Sequence, residues 1–302
     1  MHSKPDSVVT THPPGGVSTD ERESRLTRSI RQASLDGSVA MGVFVTCGFP
    51  NAEATPHILA AIADAGADFI ELGMPFSDPL AEGIPIQRSS ERAILGGSTL
   101  DRVLSAAQTF TGQHDTPLVL MGYYNPILQY GLSNFCRNAE SSGVDGLIIP
   151  DLPPEESGPL EAAASAHNLD LIFLVAPNTS ADRVRQIDRR STGFVYAVST
   201  TGVTGGQIQP TDSIDQYLQT VADIVEQNPL LVGFGIRTPD DAVKLSNHTD
   251  GFIVGSAVIS TIEALWDDET IDDSDRLTRL TAFVRSLKPP IEARPPLPPG
   301  NE

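Results

Sequence analysis

Short apolar runs recur along the chain, each bounded by Gly, Pro or Asp. They span residues 41–47, 68–72, 118–122, 146–150, 171–175, 194–198, 231–235 and 252–255. These runs are continuous and do not alternate between apolar and polar residues, which is typical of strands buried on both faces of a parallel sheet. The pattern therefore predicts eight parallel strands.

Segments with helical periodicity lie between the predicted strands. They span residues 52–65, 100–110, 155–167, 181–189, 212–227, 239–247 and 273–287. Eight strand–helix units without a linker to a second domain favour a closed α/β fold, the (β/α)8 TIM barrel, over an open doubly wound sheet. Residues 21–34 also have a helical pattern and predict an extra N-terminal helix that covers the floor of the barrel.

The two ends of the chain differ in composition from the middle. Residues 1–20 are polar and lack the apolar stretch of a secretory signal, and residues 289–302 are rich in proline. We expect a disordered N-terminal extension over 1–20, a single TIM-barrel catalytic domain over 21–288 and a Pro-rich disordered tail over 289–302.

Charge and composition exclude several classes of function. The formal net charge is −19 with only three lysines, a balance that repels nucleic acid and anionic membranes. No apolar run approaches the roughly 18 residues of a membrane span. We expect a cytoplasmic protein, and the acidic excess suggests a halophilic one that works in high salt, where charge is screened.

Cysteine and histidine spacing predicts no metal site. Cys47 and Cys136 form no CxxC motif, and the six histidines show no HExxH or other ligand spacing. We expect both thiols to be reduced.

Polar and glycine residues collect where the predicted strands end, and in a TIM barrel the chemistry lies at that end. Glu71 ends the second strand, and the Pro/Gly-rich loop after it brings a second carboxylate, Glu82. Burial raises the pKa of a carboxyl group, which makes such a residue a candidate for proton transfer near neutral pH. The alternative is that Glu71 merely caps the strand.

The last three strand ends predict a phosphate site. Glycines there would leave backbone N–H groups bare, and the step after residue 254 starts a short helix whose N-terminus attracts anions. The candidates are Gly205, Gly235, Gly255 and Ser256. Apolar side chains near the same ends suit a planar apolar group, although each one could equally belong to the barrel core. These are Phe44, Ile86, Tyr123, Tyr196 and Phe234.

Five motifs together resemble the tryptophan synthase alpha chain family. They are FVT at 44–46, ELGMPFSDPLA at 71–81, GVTG at 202–205, GFGI at 233–236 and GSA at 255–257. The resemblance covers about residues 38–287, and the ELGxPFSDP run is its most specific part. It implies a lyase that cleaves indole-3-glycerol phosphate to indole and glyceraldehyde 3-phosphate.

The resemblance also implies roles for individual residues. Glu71 matches the catalytic glutamate, Glu82 the second carboxylate and Tyr196 a tyrosine beside the glycerol chain. Thr204 matches a lid threonine that touches the second carboxylate. The glycines and serine named above match the phosphate cradle, and the indole pocket is matched by Phe44, Tyr123, Ile148 and Phe234.

The family resemblance implies a partner as well. A tryptophan synthase beta chain carrying pyridoxal phosphate would take up the indole in an alpha2beta2 heterotetramer, while this chain would hold no cofactor itself. The chain departs from the family where Glu82 replaces an aspartate, Thr200 an arginine and Phe49 the aspartate of a Gly-Asp-Pro turn. Two alternatives stay open: a weakly active subunit that mainly activates a beta chain, and another phosphate-binding barrel enzyme.

Overall fold

The computed structural model of the chain describes residues 23–79, 82–198, 211–233 and 235–288. The strands are β1 (Ala40–Thr46), β2 (Phe69–Gly73), β3 (Leu118–Met121), β4 (Gly146–Ile148), β5 (Asp170–Ile172), β6 (Leu174–Val175), β7 (Val195–Val198), β8 (Leu230–Gly233) and β9 (Gly251–Val254). The helices are α1 (Arg25–Leu35), α2 (Ala54–Asp64), α3 (Ile84–Leu95), α4 (Leu100–Thr111), α5 (Tyr124–Tyr130), α6 (Leu132–Ser141), α7 (Gly158–Ser165), α8 (Ala181–Arg190), α9 (Thr211–Ala222), α10 (Pro239–Leu245), α11 (Ser256–Asp267) and α12 (Asp273–Leu287). Two 3₁₀ turns, Pro154–Glu156 and Ser246–His248, complete the described elements.

All pairings between these strands are parallel, in the order β5-β4-β3-β2-β1-β9-β8-β7-β6. β5 and β6 are one stave of the barrel, interrupted at Phe173. Hydrogen bonds from this stave to the chain around β7 complete the ring: Thr192 N donates to Leu171 O at 3.0 Å, and Tyr196 N donates to Phe173 O at 3.1 Å. The predicted TIM barrel is thereby confirmed.

Aspartates placed just before three strands fix the lower rim of the barrel. Asp68 accepts from Met41 N, Asp145 from Leu118 N and Asp250 from Leu230 N, each at 2.7–2.8 Å. In each pair the aspartate binds the first or second residue of the strand before it. This contact satisfies a backbone donor that the ladder leaves unpaired and helps to set the stagger between neighbouring strands.

The predicted N-terminal helix is present and lies across the barrel floor. Leu26 and Ile30 on α1 are fully buried. Thr27 Oγ1 donates to Gly193 O at 3.0 Å and Ser29 Oγ donates to Asp68 O at 2.7 Å, both just before strands. The Arg25 guanidinium forms two hydrogen bonds of 2.7 Å with the carboxylate of Asp145.

The predicted strands agree with the observed ones to within two residues at each end, apart from the break at Phe173. Three helices, α3, α5 and α6, were not predicted as elements. The predicted helix over 155–167 is shorter because Gly158 and Pro159 begin α7 after a separate 3₁₀ turn. The helix after residue 255 is longer than expected, since α11 runs for 12 residues. Among the described residues, no helix has the length and apolar character needed to cross a bilayer.

The predicted extension over 1–20 and tail over 289–302 lie outside the described residues. These assignments therefore stay predictions.

Candidate active site

Glu71 is the third residue of β2, and its carboxyl group is fully buried inside the barrel. Its neighbours in the ladder are Phe44 on β1 and Val119 on β3. Neither carboxyl oxygen has a hydrogen-bond partner among the described residues. Burial raises the pKa of Glu71 from 4.5 to about 8, so the group is mostly protonated at neutral pH.

Glu82 lies in the loop that leads into α3 and is 6% exposed. Burial raises its pKa to about 7, and a hydrogen bond from the Tyr123 hydroxyl partly offsets this because it stabilises the carboxylate. Gln87 Nε2 donates to Glu82 O at 2.9 Å, which ties the loop to the first turn of α3. The Tyr123 ring in turn stacks on Phe76, with 4.7 Å between ring centroids.

Tyr196 on β7 lies close to both carboxylates. The negative charges of Glu71 and Glu82 add to burial in raising the pKa of its phenol well above the usual value. Its ring packs directly on Gly233 of β8, where a Cβ atom would lie 2.2 Å from the hydroxyl oxygen. Only glycine at position 233 allows the Tyr196 ring to keep this place.

The two glutamates and the tyrosine open into one cavity of about 110 Å³ at the C-terminal ends of the strands. Its described lining is Phe44, Glu71, Glu82, Ile86, Met121, Tyr196, Gly235, Ile236, Arg237, Ile253, Gly255 and Ser256. One cavity is therefore lined both by apolar side chains and carboxyl groups and by glycines, where backbone atoms form the wall.

The glycine side of this cavity has the features of an anion site. α11 begins at Ser256 without any side chain that caps its N-terminus, so its first N–H groups remain available. Gly235 has a φ of +85° and open space where a side chain would be. A Cβ atom on Gly83 would lie 3.0 Å from Ser256 Oγ, so the loop that carries Glu82 touches this end of the site.

Not every residue predicted for the site lines the cavity. Ile148 is fully buried at the end of β4 but is not part of the lining, and Tyr123 contributes through its bond to Glu82. Thr204, Gly205 and Phe234 lie outside the described residues. No group of three or more His, Cys, Asp or Glu side chains in the described ranges is arranged to hold a metal ion.

The sequence model of the tryptophan synthase alpha chain family matches residues 31–290. This chain belongs to the tryptophan synthase alpha chain family. A tryptophan synthase alpha chain from Geobacter sulfurreducens is 42% identical over 240 residues, covering 80% of this chain and 90% of the relative. One from Chloroflexus aggregans is 42% identical over 265 residues, covering 87% and 97%.

Solved structures of tryptophan synthase agree with this assignment. The alpha chain from Legionella pneumophila superposes with a TM-score of 0.78 at 34% identity, covering 89% of this chain and 97% of that one. A chain of Mycobacterium tuberculosis tryptophan synthase gives a TM-score of 0.78 at 33% identity, covering 90% and 98%. The chain therefore has the activity of the alpha subunit in tryptophan biosynthesis. It is a lyase that cleaves indole-3-glycerol phosphate.

Four residues that line the cavity were not predicted from the sequence: Met121, Ile236, Arg237 and Ile253. Met121 and Ile253 lie in continuous apolar strands. In such a strand the sequence pattern does not distinguish a residue that lines the cavity from one that packs in the core. For Arg237 a signal did exist. A cation two residues after a glycine that ends a barrel strand is well placed to meet an anion.

Proposed function

We propose that Glu71 is the acid–base group of the cleavage reaction. With a pKa of about 8 it holds a proton at neutral pH, which it can donate to C3 of the indole ring. The resulting carboxylate then accepts the proton of the glycerol hydroxyl. The carbon–carbon bond between ring and chain breaks, and its electron pair returns to the ring, leaving indole and an aldehyde.

Glu82 has the complementary role in this proposal. Its pKa of about 7 keeps a large fraction ionised at neutral pH, so its carboxylate can accept a hydrogen bond from the indole N–H. Protonation at C3 puts positive charge on the ring nitrogen, and a nearby carboxylate stabilises that charge most in the transition state. Tyr196 would orient the glycerol chain between the two carboxyl groups.

The observation that carries the proposal is the buried carboxyl group of Glu71, which has no hydrogen-bond partner among the described residues. A buried polar group without a hydrogen bond typically costs a protein about 1–3 kcal/mol. Such a group is retained where it has a chemical use, and here it opens into the cavity that also holds the uncapped N-terminus of α11. A phosphate at Gly235, Gly255 and Ser256 would set the distance from the anion to the scissile bond, and Gly205 and Thr204 would complete the cradle and lid.

Indole release from indole-3-glycerol phosphate tests this proposal. Glu71→Gln should fold and lose roughly 10²- to 10⁴-fold in turnover, as expected for a missing acid–base group. Gly255→Ala should raise KM instead, because the added methyl takes up cavity space beside the first turn of α11 while making only ordinary contact with the protein, 3.4 Å from Ile86 Cδ1 and Phe44 Cβ. Full turnover in Glu71→Gln would refute the assignment of the base.

The partner and setting are also proposed. We expect a beta chain to bind pyridoxal phosphate and to form an alpha2beta2 heterotetramer with this chain. The described lining of the cavity contains no lysine, the residue whose amine holds pyridoxal phosphate as a Schiff base, which supports placing that cofactor in the partner. A cytoplasmic, halophilic protein with one catalytic domain over 21–288 remains the expectation from charge and composition.

A further inference from the structure

Arg237 lies at the proposed phosphate end of the cavity. It lines the same space as Gly235, Gly255 and Ser256, and it contributes the only side chain with a full positive charge in the described lining. The residue itself is exposed although it lines the cavity, so it lies at the rim of the site and not in its interior.

The main chain at Arg237 is held firmly while its side chain is left available. Arg237 N donates to Asp241 Oδ2 at 3.1 Å, beside the capping box in which Thr238 and Asp241 close the first turn of α10. The guanidinium forms no ion pair with any carboxylate that the structure describes. Elsewhere in the described ranges, eight arginines do: Arg25, Arg31, Arg88, Arg92, Arg183, Arg185, Arg190 and Arg276.

The position is not one that the helix itself favours for a cation. Arg237 immediately precedes the N-cap of α10, where the helix dipole presents its positive end, so a positive side chain gains nothing from the helix. An anion in the neighbouring cavity would reverse this balance, because it would be attracted by both the arginine and the nearby N-terminus of α11.

Electrostatics make a full positive charge useful at this end of the site. A phosphate monoester carries about −1.5 to −2 charges at pH 7. It must enter a cavity that also holds the carboxyl group of Glu82, in a protein with a formal net charge of −19. Backbone N–H groups at a helix N-terminus offer only about half a positive charge. A guanidinium adds a whole charge and two parallel donors that match phosphate oxygens.

We propose that Arg237 recognises the phosphate of the substrate and thereby determines specificity for the phosphorylated compound. The inference rests on the proposed phosphate end at Gly235, Gly255 and Ser256. Arg237 then acts in binding, while proton transfer stays with the glutamates, so its removal should raise KM and leave kcat nearly unchanged.

Steady-state kinetics with three variants at constant ionic strength test the role. Arg237→Ser should raise KM for indole-3-glycerol phosphate about tenfold and weaken inhibition by inorganic phosphate by a similar factor, with indole binding unchanged. Arg237→Lys keeps the positive charge but lacks the two parallel donors of the guanidinium. Its KM should lie between the values of the parent and of Arg237→Ser. Lys244→Ser is the matched control, because it removes one positive charge from the exposed side of the helix that follows Arg237, α10, away from the cavity lining.

The outcomes separate this inference from the proposed function beneath it. If Arg237→Ser and Lys244→Ser raise KM equally, the arginine acts only through net charge and the inference is wrong. If Arg237→Ser leaves KM and phosphate inhibition unchanged while Gly255→Ala weakens phosphate inhibition, the phosphate end stands and Arg237 has no part in it. If neither Arg237→Ser nor Gly255→Ala affects inhibition by phosphate, the phosphate end itself is misplaced.

Discussion

The carboxyl group of Glu71 shows how one side chain can lower stability for the sake of chemistry. It has left water completely and gained no hydrogen bond among the described residues, and burial alone raises its pKa to about 8. The neutral form costs less in the barrel than the ionised form does. The protein thus keeps a proton in place at a pH where glutamate in solution would have lost it.

Glu71→Gln should therefore change the pH dependence of stability. Between pH 4.5 and 8 the unfolded chain releases the Glu71 proton while the folded chain retains it, so the free energy of unfolding of the parent falls across this window. The Gln variant lacks this fall, and its advantage over the parent should grow by up to about 4 kcal/mol from pH 4.5 to 9. Urea unfolding of both proteins over this range measures it, and parallel curves would contradict the raised pKa.

Tyr123 controls the second carboxylate through a single hydrogen bond. Tyr123→Phe keeps the ring that stacks on Phe76 but removes the donor to Glu82, so the pKa of Glu82 should rise above about 7. If the Glu82 carboxylate is the required form, the acidic limb of the pH profile of kcat/KM should move to higher pH by about 0.5–1 unit. An unchanged acidic limb would mean that another group produces it.

Single residues also mark where sequence reasoning reached its limit. Glu71 and Glu82 could be predicted because an ionisable residue at the end of an apolar strand, or in the loop after it, stands out in the pattern. The Tyr123–Glu82 bond could not, since it joins residues 41 positions apart through a loop whose path the sequence does not reveal. Arg237 is a missed residue whose type and position were informative.

Glycines in the strands allow the aromatic rings of the site to lie against the backbone. The Tyr196 ring covers Gly233 of β8, and the Phe44 ring covers Gly73 of β2, where a Cβ atom would lie 2.6 Å from Phe44 Cζ. Each glycine thus fixes a ring on the neighbouring strand. The strand pair, more than the aromatic residue alone, determines the shape of the cavity.

Gly233→Ala should consequently disable the site without unfolding the barrel. The added methyl would overlap the hydroxyl oxygen and a ring carbon of Tyr196 and must displace that ring, which destabilises the packed interior by roughly 1–3 kcal/mol. We expect a loss of turnover of at least tenfold, measured by indole release, with circular dichroism unchanged. Gly158→Ala on α7 is the control because nothing lies within 4 Å of its new methyl, so turnover should be kept. Equal turnover in both variants would show that Tyr196 tolerates displacement.

Strands were easier to predict than helices for a physical reason. A strand buried on both faces is a continuous apolar run, and eight such runs gave the fold directly. The helix α3 was missed because it follows the Pro/Gly-rich loop with Pro85 in its first turn, and α5 and α6 were missed although Gly131 separates them as a visible break. The interruption at Phe173 leaves the apolar run intact, so the sequence carries no sign of it.

The charge of the whole molecule predicts its response to salt. With a formal net charge of −19, self-repulsion opposes the folded state at low ionic strength, and screening should relieve it. Raising KCl from 0.1 to 2 M should increase the free energy of unfolding by roughly 1–3 kcal/mol, measured by urea denaturation. Most of the increase in the free energy of unfolding should come below 1 M KCl, because charge screening is nearly complete there. An increase caused by salting-out would continue above 1 M. Stability that is flat or falls with salt would refute adaptation to high salt.

The completed ring of strands has a consequence for that same environment. Concentrated salt weakens the repulsion that keeps like-charged molecules apart and strengthens the association of apolar surfaces. A sheet with a bare edge would then invite strands of other molecules to pair with it. Here the bonds from Thr192 and Tyr196 to the split fifth stave occupy the backbone groups where such pairing would begin. At high concentrations of salt and protein, the barrel therefore offers no unpaired strand edge at this point with which another copy could pair.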